Sequence, residues 1–219
     1  MKVLALGGSI LFGDLEANKI SEFADVIDEF DGKLVIVVGG GKIARKYIEI
    51  ARDLGANETL CDIIGIDVTR VNARVFSASL RDASSKIPHS PEEVEILLKT
   101  CKKVVMGGTF PGHTTDATAA IVAEFVGAEE LLIATSVDGV YSSDPNRNPQ
   151  AQRYERLTSS ELVEIVSRSE INAGSSSVVD LLAAKIIQRS RINARVFLGT
   201  PENLRKALKG EKIGTEIIP

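Results

Sequence analysis

Val104-Val105-Met106-Gly107-Gly108-Thr109-Phe110-Pro111-Gly112-His113-Thr114-Thr115-Asp116, followed by Ala117-Thr118-Ala119-Ala120-Ile121-Val122-Ala123, reads as strand, loop and helix in succession. The three apolar residues at its start form a buried strand. The ten residues from Gly107 hold three glycines, a proline, three threonines and a histidine. Such a loop carries many backbone N–H groups and hydroxyls free to face a ligand. Thr114 or Thr115 caps the helix that follows, with Asp116 in its first turn. That helix is apolar nearly all round, which makes it a buried one, and Ala117, Ala119, Ala120 and Ala123 allow close packing. A donor-rich loop at a helix N-terminus is the geometry that receives a phosphate or a carboxylate. The loop is also longer than the usual ~2–6 residues of a plain strand-to-helix connection.

The same pattern recurs on either side. Leu34-Val35-Ile36-Val37-Val38 is the clearest buried strand, and Gly39-Gly40-Gly41 follows it before Lys42 opens a helix. Ile43, Tyr47, Ile50, Ala51 and Leu54 mark the expected buried side of that helix. Lys42, Arg45 and Lys46 lie in its first turns, where cations oppose the macrodipole unless an anion sits between them. The spacing is neither that of a Walker P-loop nor that of a dinucleotide fingerprint. Near the N-terminus, Val3-Leu4-Ala5-Leu6 runs into Gly7-Gly8-Ser9. Further on, Leu131-Leu132-Ile133-Ala134 runs into Thr135-Ser136-Val137-Asp138-Gly139-Val140-Tyr141-Ser142-Ser143-Asp144-Pro145. The turn signals Asp138-Gly139 and Asp144-Pro145 mark a hairpin and surface loop, or else an exposed Tyr141 that borders a nucleotide. Arg195–Leu198 and Glu216–Ile218 complete the strand runs.

Between the strands lie helical patterns over 18–30, 58–80, 92–99, 158–167 and 201–208, and another after Gly174-Ser175-Ser176-Ser177. In 58–80, Leu60, Ile64, Val68, Val71, Val75 and Ala78 form one stripe, and Asp62, Gly65, Thr69 and Asn72 form a second, small and polar. Asp62 suits a helix N-terminus, and it equally suits a ligand lying along the polar stripe. Ser177 and Asp180 have capping-box spacing for a helix containing Val178, Val179, Leu181, Leu182, Ile186 and Ile187. Lys185, two turns into that helix, either snorkels to water or points at an anion.

The 219 residues carry a net charge of −4 and no tryptophan, which gives no reason to expect nucleic acid. Cys61 and Cys101 have no metal-like spacing, and His89 and His113 stand in different contexts, so a zinc site is not expected. No signal-peptide pattern and no apolar run of ~20 residues is present. The expectation is a soluble cytoplasmic protein. Alternating buried strands and helices predict an α/β fold, a three-layer αβα sandwich with a mainly parallel central sheet. The loops at 7–9, 39–41, 107–115 and 135–144 then converge on one sheet edge, which suggests polyphosphate and a phosphotransferase.

At these residues the chain resembles the amino-acid kinase superfamily, with its carbamate kinase-like fold, and within it the archaeal uridylate kinases. The matching segments are Gly7-Gly8-Ser9, Val37 to Lys42 with Arg45, Asp62 with Gly65, Gly108-Thr109 through Asp116, Thr135 to Tyr141 with Asp144-Pro145, and Gly174 to Ser177 with Asp180 and Lys185. The resemblance implies Mg²⁺-dependent transfer of the ATP γ-phosphoryl group to UMP, giving UDP and ADP for pyrimidine nucleotide biosynthesis. It also implies a homohexamer, in which one domain spans 1–219, with a lobe of about 1–128 for the acceptor and one of about 129–219 for ATP. Carried over by position, Gly40, Asp62, Thr109, Phe110, Pro111, Gly112, His113, Thr114 and Thr115 contact UMP. Gly7, Gly8, Ser9, Gly41, Arg45, Thr135, Tyr141 and Asp144 contact ATP. Asp116 orients the groups around the transferring phosphate, and no side chain is assigned as a direct metal ligand. The superfamily often has a lysine where this chain has Ala5, and Lys185 is the candidate for the missing charge. Asp116, Arg45 and Lys185 are therefore the expected catalytic residues.

Two other readings stand beside this one. A kinase of the same superfamily acting on isopentenyl phosphate is expected to carry a histidine near the second glycine loop, and none occurs between 36 and 60. A non-catalytic nucleotide-binding subunit has no need of Lys185, Asp116 and Arg45 together.

Overall fold

Leu34–Val38 has every residue fully buried, as a strand covered on both faces must. The computed structural model describes residues 1–143, 145, 148, 150–171 and 178–219. Its sheet has seven strands among these residues, in the order β3-β2-β1-β4-β6-β7-β5. They are β1 (Lys2–Leu6), β2 (Leu34–Val38), β3 (Lys103–Met106), β4 (Glu130–Thr135), β5 (Arg156–Thr158), β6 (Asn193–Leu198) and β7 (Thr215–Ile218). All neighbours run parallel except β6 and β7, which are antiparallel.

Side chains alternate along each strand and sort into two cores. Val3, Ala5, Val35, Val37, Val104, Met106, Leu131 and Ile133 join one, with α5 (Pro91–Leu97), α6 (Thr115–Phe125), α7 (Ser159–Ile171) and α8 (Leu181–Ser190). Leu4, Leu6, Leu34, Ile36, Val38, Val105 and Leu132 join the other, with α2 (Ala17–Asp28), α4 (Glu58–Ser79) and α9 (Pro201–Leu208). The result is the expected three-layer αβα sandwich.

The strand order reverses at β1, with β2 and β3 on one side and β4 and β6 on the other. Open α/β sheets bind ligands at the carboxyl edge beside such a reversal.

Several local expectations need correction. Strand β5 has three residues and no apolar run, so periodicity could not reveal it. Gly7-Gly8-Ser9 does not end as an open loop: Gly7 caps a single helical turn, α1 (Gly8–Leu11). In α3 (Gly41–Asp53), only Ala44 is buried, and Tyr47, Ile50 and Leu54 are exposed instead of packed inside. In α4 the polar stripe faces inward: Thr69 and Asn72 are buried, while Leu60, Val71 and Val75 are exposed. Helix α8 starts at Leu181, because the Asp180 side chain is its N-cap and accepts from Ala183 N at 3.0 Å. Asp180 is thus not the third residue of a capping box, and Val178 and Val179 precede the helix. The Gly174–Ser177 loop lies outside the described residues.

Candidate active site

The floor of the site is backbone against backbone. A Cβ on Gly8 would stand 2.3 Å from Gly39 O and 2.4 Å from Gly41 N. The loops after β1 and β2 therefore touch, and glycine is required for that approach. Gly41 has φ +67°, in the left-handed region, as α3 begins. Buried Asn72 fixes the second loop by donating from Nδ2 to Gly39 O at 2.9 Å and to Gly40 O at 3.3 Å. Thr69 fixes the β3 loop in the same way: its Oγ1 accepts from Gly108 N at 2.7 Å and donates to Ile66 O. The inward turn of the α4 polar stripe thus has a direct cause. These side chains satisfy loop backbone groups that would otherwise be buried without partners.

Above this floor lies a cleft of about 250 Å³, lined by Gly40, Gly41, Arg45, Asp62, Gly65, Thr69, Gly108, His113, Thr114 and Thr115 among others. Arg45 reaches across from α3, and its NH2 donates to Ser9 Oγ at 3.1 Å. Asp62 Oδ2 accepts from Gly112 N at 2.8 Å and ties the long loop to α4. Thr114 caps α6, its Oγ1 accepting from Ala117 N at 3.0 Å. His113 leans on Phe110, with ring centroids 5.8 Å apart, and its buried Nδ1 has no hydrogen-bond partner among the described residues.

The structure sorts the expected residues. Gly40, Asp62, His113, Thr114 and Thr115 line the cleft with Gly41 and Arg45. Thr109, Phe110, Pro111 and Gly112 do not line it: Thr109 lies beside Thr118, and Phe110 is exposed. Thr135 lies at the end of β4, next to Gly7, whose N–H donates to Ala134 O. Tyr141 is half-buried rather than exposed. Its hydroxyl donates to Asp138 Oδ1 at 2.7 Å, which holds the phenol above its ordinary pKa, and Arg153 meets the other carboxylate oxygen. Asp144 lies outside the described residues. Lys185 is exposed, on the second turn of α8. Sequence reasoning missed Thr69, Asn72 and Gly108 as loop anchors. The polar stripe of α4 was their only signal.

Asp116, in the first turn of α6, has a pKa pushed up to about 7, first by desolvation and then by the charge of Asp180. A helix N-terminus ordinarily favours the carboxylate, so burial and the second carboxylate win here. The folded pKa lies above the ordinary aspartate value of about 3.9. Protonation of Asp116 therefore favours folding, a contribution fully present below pH ~4 and lost as pH rises through ~7. The gap has an upper bound of about 4 kcal/mol at 1.36 per pKa unit, and partial solvent access reduces it to on the order of 2. Asp116→Asn is expected to melt level with the parent near pH ~4 and about 4–8 °C above it near pH ~8. Melting curves across that range check this, and a gap that does not change with pH would contradict the electrostatic picture.

The chain is similar to known proteins along nearly its whole length. The amino acid kinase family profile matches residues 1–198. The chain is 55% identical over 217 residues to the uridylate kinase of Archaeoglobus fulgidus, covering 98% of both chains. It is 50% identical over 224 residues to the uridylate kinase of Natronomonas pharaonis, covering 99% of this chain and 98% of that one. The crystal structure of the A. fulgidus uridylate kinase superposes with a TM-score of 0.92 at 54% identity, covering 99% of each chain. That of the Ureaplasma parvum UMP kinase gives 0.81 at 27% identity, covering 100% of this chain and 98% of that one.

Proposed function

The chain belongs to the amino acid kinase family, and from its similarity to archaeal uridylate kinases we propose that it phosphorylates UMP. It transfers the γ-phosphoryl group of ATP to UMP, giving UDP and ADP. The observation that carries this reading is the single cleft: Gly41 and Arg45, with Ser9 held by Arg45, face the cap of α6 and Asp62 across it. Two anions can be held end to end there, and holding them in line is most of what phosphoryl transfer requires.

In this reading the acceptor phosphate lies at the N-terminus of α6, against Thr114 and Thr115. His113 borders the same wall. The ribose of UMP meets Asp62. The donor phosphates lie against Gly7, Gly8, Ser9 and Gly41, with Arg45 neutralising charge, and the nucleoside end lies toward Thr135, Tyr141 and Asp144. Residues of about 1–128 form the acceptor lobe and those of about 129–219 the ATP lobe, joined by the β1–β4 pairing. The acceptor phosphate is itself the nucleophile, so no protein nucleophile is needed.

Mg²⁺ is the cofactor in this reading. Asp116 and Asp180 fit it, being two hard-oxygen carboxylates close enough for one to raise the pKa of the other. When bound with ATP, the ion neutralises charge on the phosphates. Asp116 and Asp180 would hold the ion as carboxylates, and Asp116 would orient the groups around the transferring phosphate.

Self-association is also part of the proposal. Tyr47, Ile50 and Leu54 on α3 and Leu60, Val71 and Val75 on α4 leave an apolar surface exposed in one chain, which supports the homohexamer. No helix among the described residues is long and apolar enough to cross a membrane. A cytoplasmic place in pyrimidine nucleotide synthesis fits the substrates.

The test is ADP release from ATP with UMP, CMP, AMP, GMP and isopentenyl phosphate offered separately. Turnover with UMP at least about tenfold above every other acceptor in kcat/KM is the expected result, the margin that a difference of ~1.4 kcal/mol supplies. Turnover with isopentenyl phosphate alone would replace the reading with another kinase of the family. No turnover with any acceptor would leave a non-catalytic nucleotide binder.

A further inference from the structure

One hydroxyl joins the two helices that meet at the site. Thr114 Oγ1 accepts from Ala117 N and so caps α6. The same oxygen donates its one proton to Asp180 Oδ2, at 2.5 Å. The other oxygen of Asp180 accepts from Ala183 N and caps α8. Among the described residues, Asp180 Oδ2 takes no other hydrogen bond. The N-caps of α6 and α8 are therefore interlocked through a single proton.

A threonine hydroxyl has one proton to give. While Asp180 holds it, Thr114 presents only an acceptor to the cleft, and an incoming phosphate oxygen is an acceptor too. To bind the phosphate through this hydroxyl, the proton must turn away from Asp180. Asp180 Oδ2 then loses its donor and is left as a bare carboxylate beside Asp116. A cation-bearing donor nucleotide relieves that arrangement.

Resting on the reading of the cleft as the UMP site, we infer that the Thr114–Asp180 interlock couples the two substrates, so that UMP binding strengthens binding of the Mg²⁺ nucleotide. Linkage makes the effect reciprocal: the nucleotide strengthens UMP by the same factor. Asp180 has two parts in this scheme: it is one of the carboxylates that fit Mg²⁺, and it positions Thr114 and α8.

The experiment is calorimetric titration of the full chain with Mg²⁺ and a non-hydrolysable ATP analogue, with and without saturating UMP. The parent is expected to bind the analogue about five- to twentyfold tighter when UMP is present, the lower part of the range of allosteric couplings. Thr114→Val removes the shared proton but leaves the Asp180 cap on α8. It is expected to weaken UMP binding and to bring the coupling factor to about one. Asp180→Asn keeps a cap oxygen for Ala183 N and turns an N–H toward Thr114, which frees the hydroxyl proton; it is expected to lose the coupling by tightening UMP binding in the absence of nucleotide. A merely structural role would change individual affinities and melting temperature but leave the factor intact.

Independent binding of the two ligands to the parent would overturn the interlock and leave the function standing. So would a folded Thr114→Val that keeps the parent's coupling. A parent that binds the analogue but not UMP would overturn the function, and the interlock with it.

Discussion

Lys185→Ala is expected to lower kcat by on the order of 100- to 1000-fold while the KM values for both substrates change little, the signature of a preorganised donor acting mainly in the transition state. The premise is a missing charge. Ala5 is buried at 1% exposure on the α6 side of the sheet, so β1 brings no cation to the phosphates. Helix α8 starts beside the acceptor loop, since its cap Asp180 is bonded to Thr114. Lys185 lies on its second turn, one turn nearer the site than a cap at Ser177 would place it. Long side chains on helices lean toward the N-terminus, which directs the ammonium back to the carboxyl edge of the sheet. Lys185 is exposed, so its ammonium can reach an anion that enters from solvent. Lys185→Arg is expected to recover part of the loss, because charge is kept but the guanidinium fork has another shape. Steady-state kinetics on variants shown to fold by thermal melting decide the matter. A folded Lys185→Ala within about threefold of the parent, too small a loss for such a donor, would transfer the role to Arg45. Arg45 already bonds Ser9, whereas Lys42 lies 3.9 Å from Asp14 and is largely in solvent.

The second large effect concerns Asp62. Its Oδ2 holds Gly112 N, and among the described residues its remaining lone pairs take no hydrogen bond, which leaves room for ribose hydroxyls, since a carboxylate accepts about four. Charge-assisted bonds of this kind contribute roughly 1.5–3 kcal/mol each. Asp62→Ala is therefore expected to raise the KM for UMP about 10- to 100-fold and to leave the KM for ATP nearly unchanged. Asp62→Asn keeps an oxygen for Gly112 N–H, so it is expected to fall between alanine and the parent. Initial-rate measurements with each substrate varied in turn separate the two constants. An equal rise in both would remove Asp62 from the acceptor site and leave it as a latch for the loop.

The two helices flanking the cleft show where the sequence was readable and where it was not. Buried strands such as Leu34–Val38 are unambiguous, because a run of five β-branched and leucine residues followed by glycine has few other uses. Helix faces are a different matter. Periodicity on α3 and α4 shows that each has an apolar stripe, but it says nothing about what covers that stripe. Periodicity puts Tyr47 on the buried side of α3, yet it is exposed, and on α4 interior positions go to Thr69 and Asn72. Their hydrogen bonds to Gly108, Gly39 and Gly40 outweigh the burial that valines would have gained. The start of α8 was misread for a related reason: Ser177 and Asp180 are both good caps, and only the geometry of Ala183 N distinguishes them. The glycine loops and Arg45 were legible because their chemistry is local. The joining of Thr114 to Asp180, 66 residues apart, was not.

The central claim is that this cleft transfers the phosphoryl group directly between two bound nucleotides, with no side chain carrying it on the way. The most direct test uses ATP made chiral at the γ-phosphorus with oxygen isotopes, and reads the configuration of the β-phosphorus in the UDP formed. A single in-line displacement predicts inversion. Retention would contradict the account, since it requires two displacements and a phosphorylated residue between them, for which His113 on the cleft wall would be the first suspect.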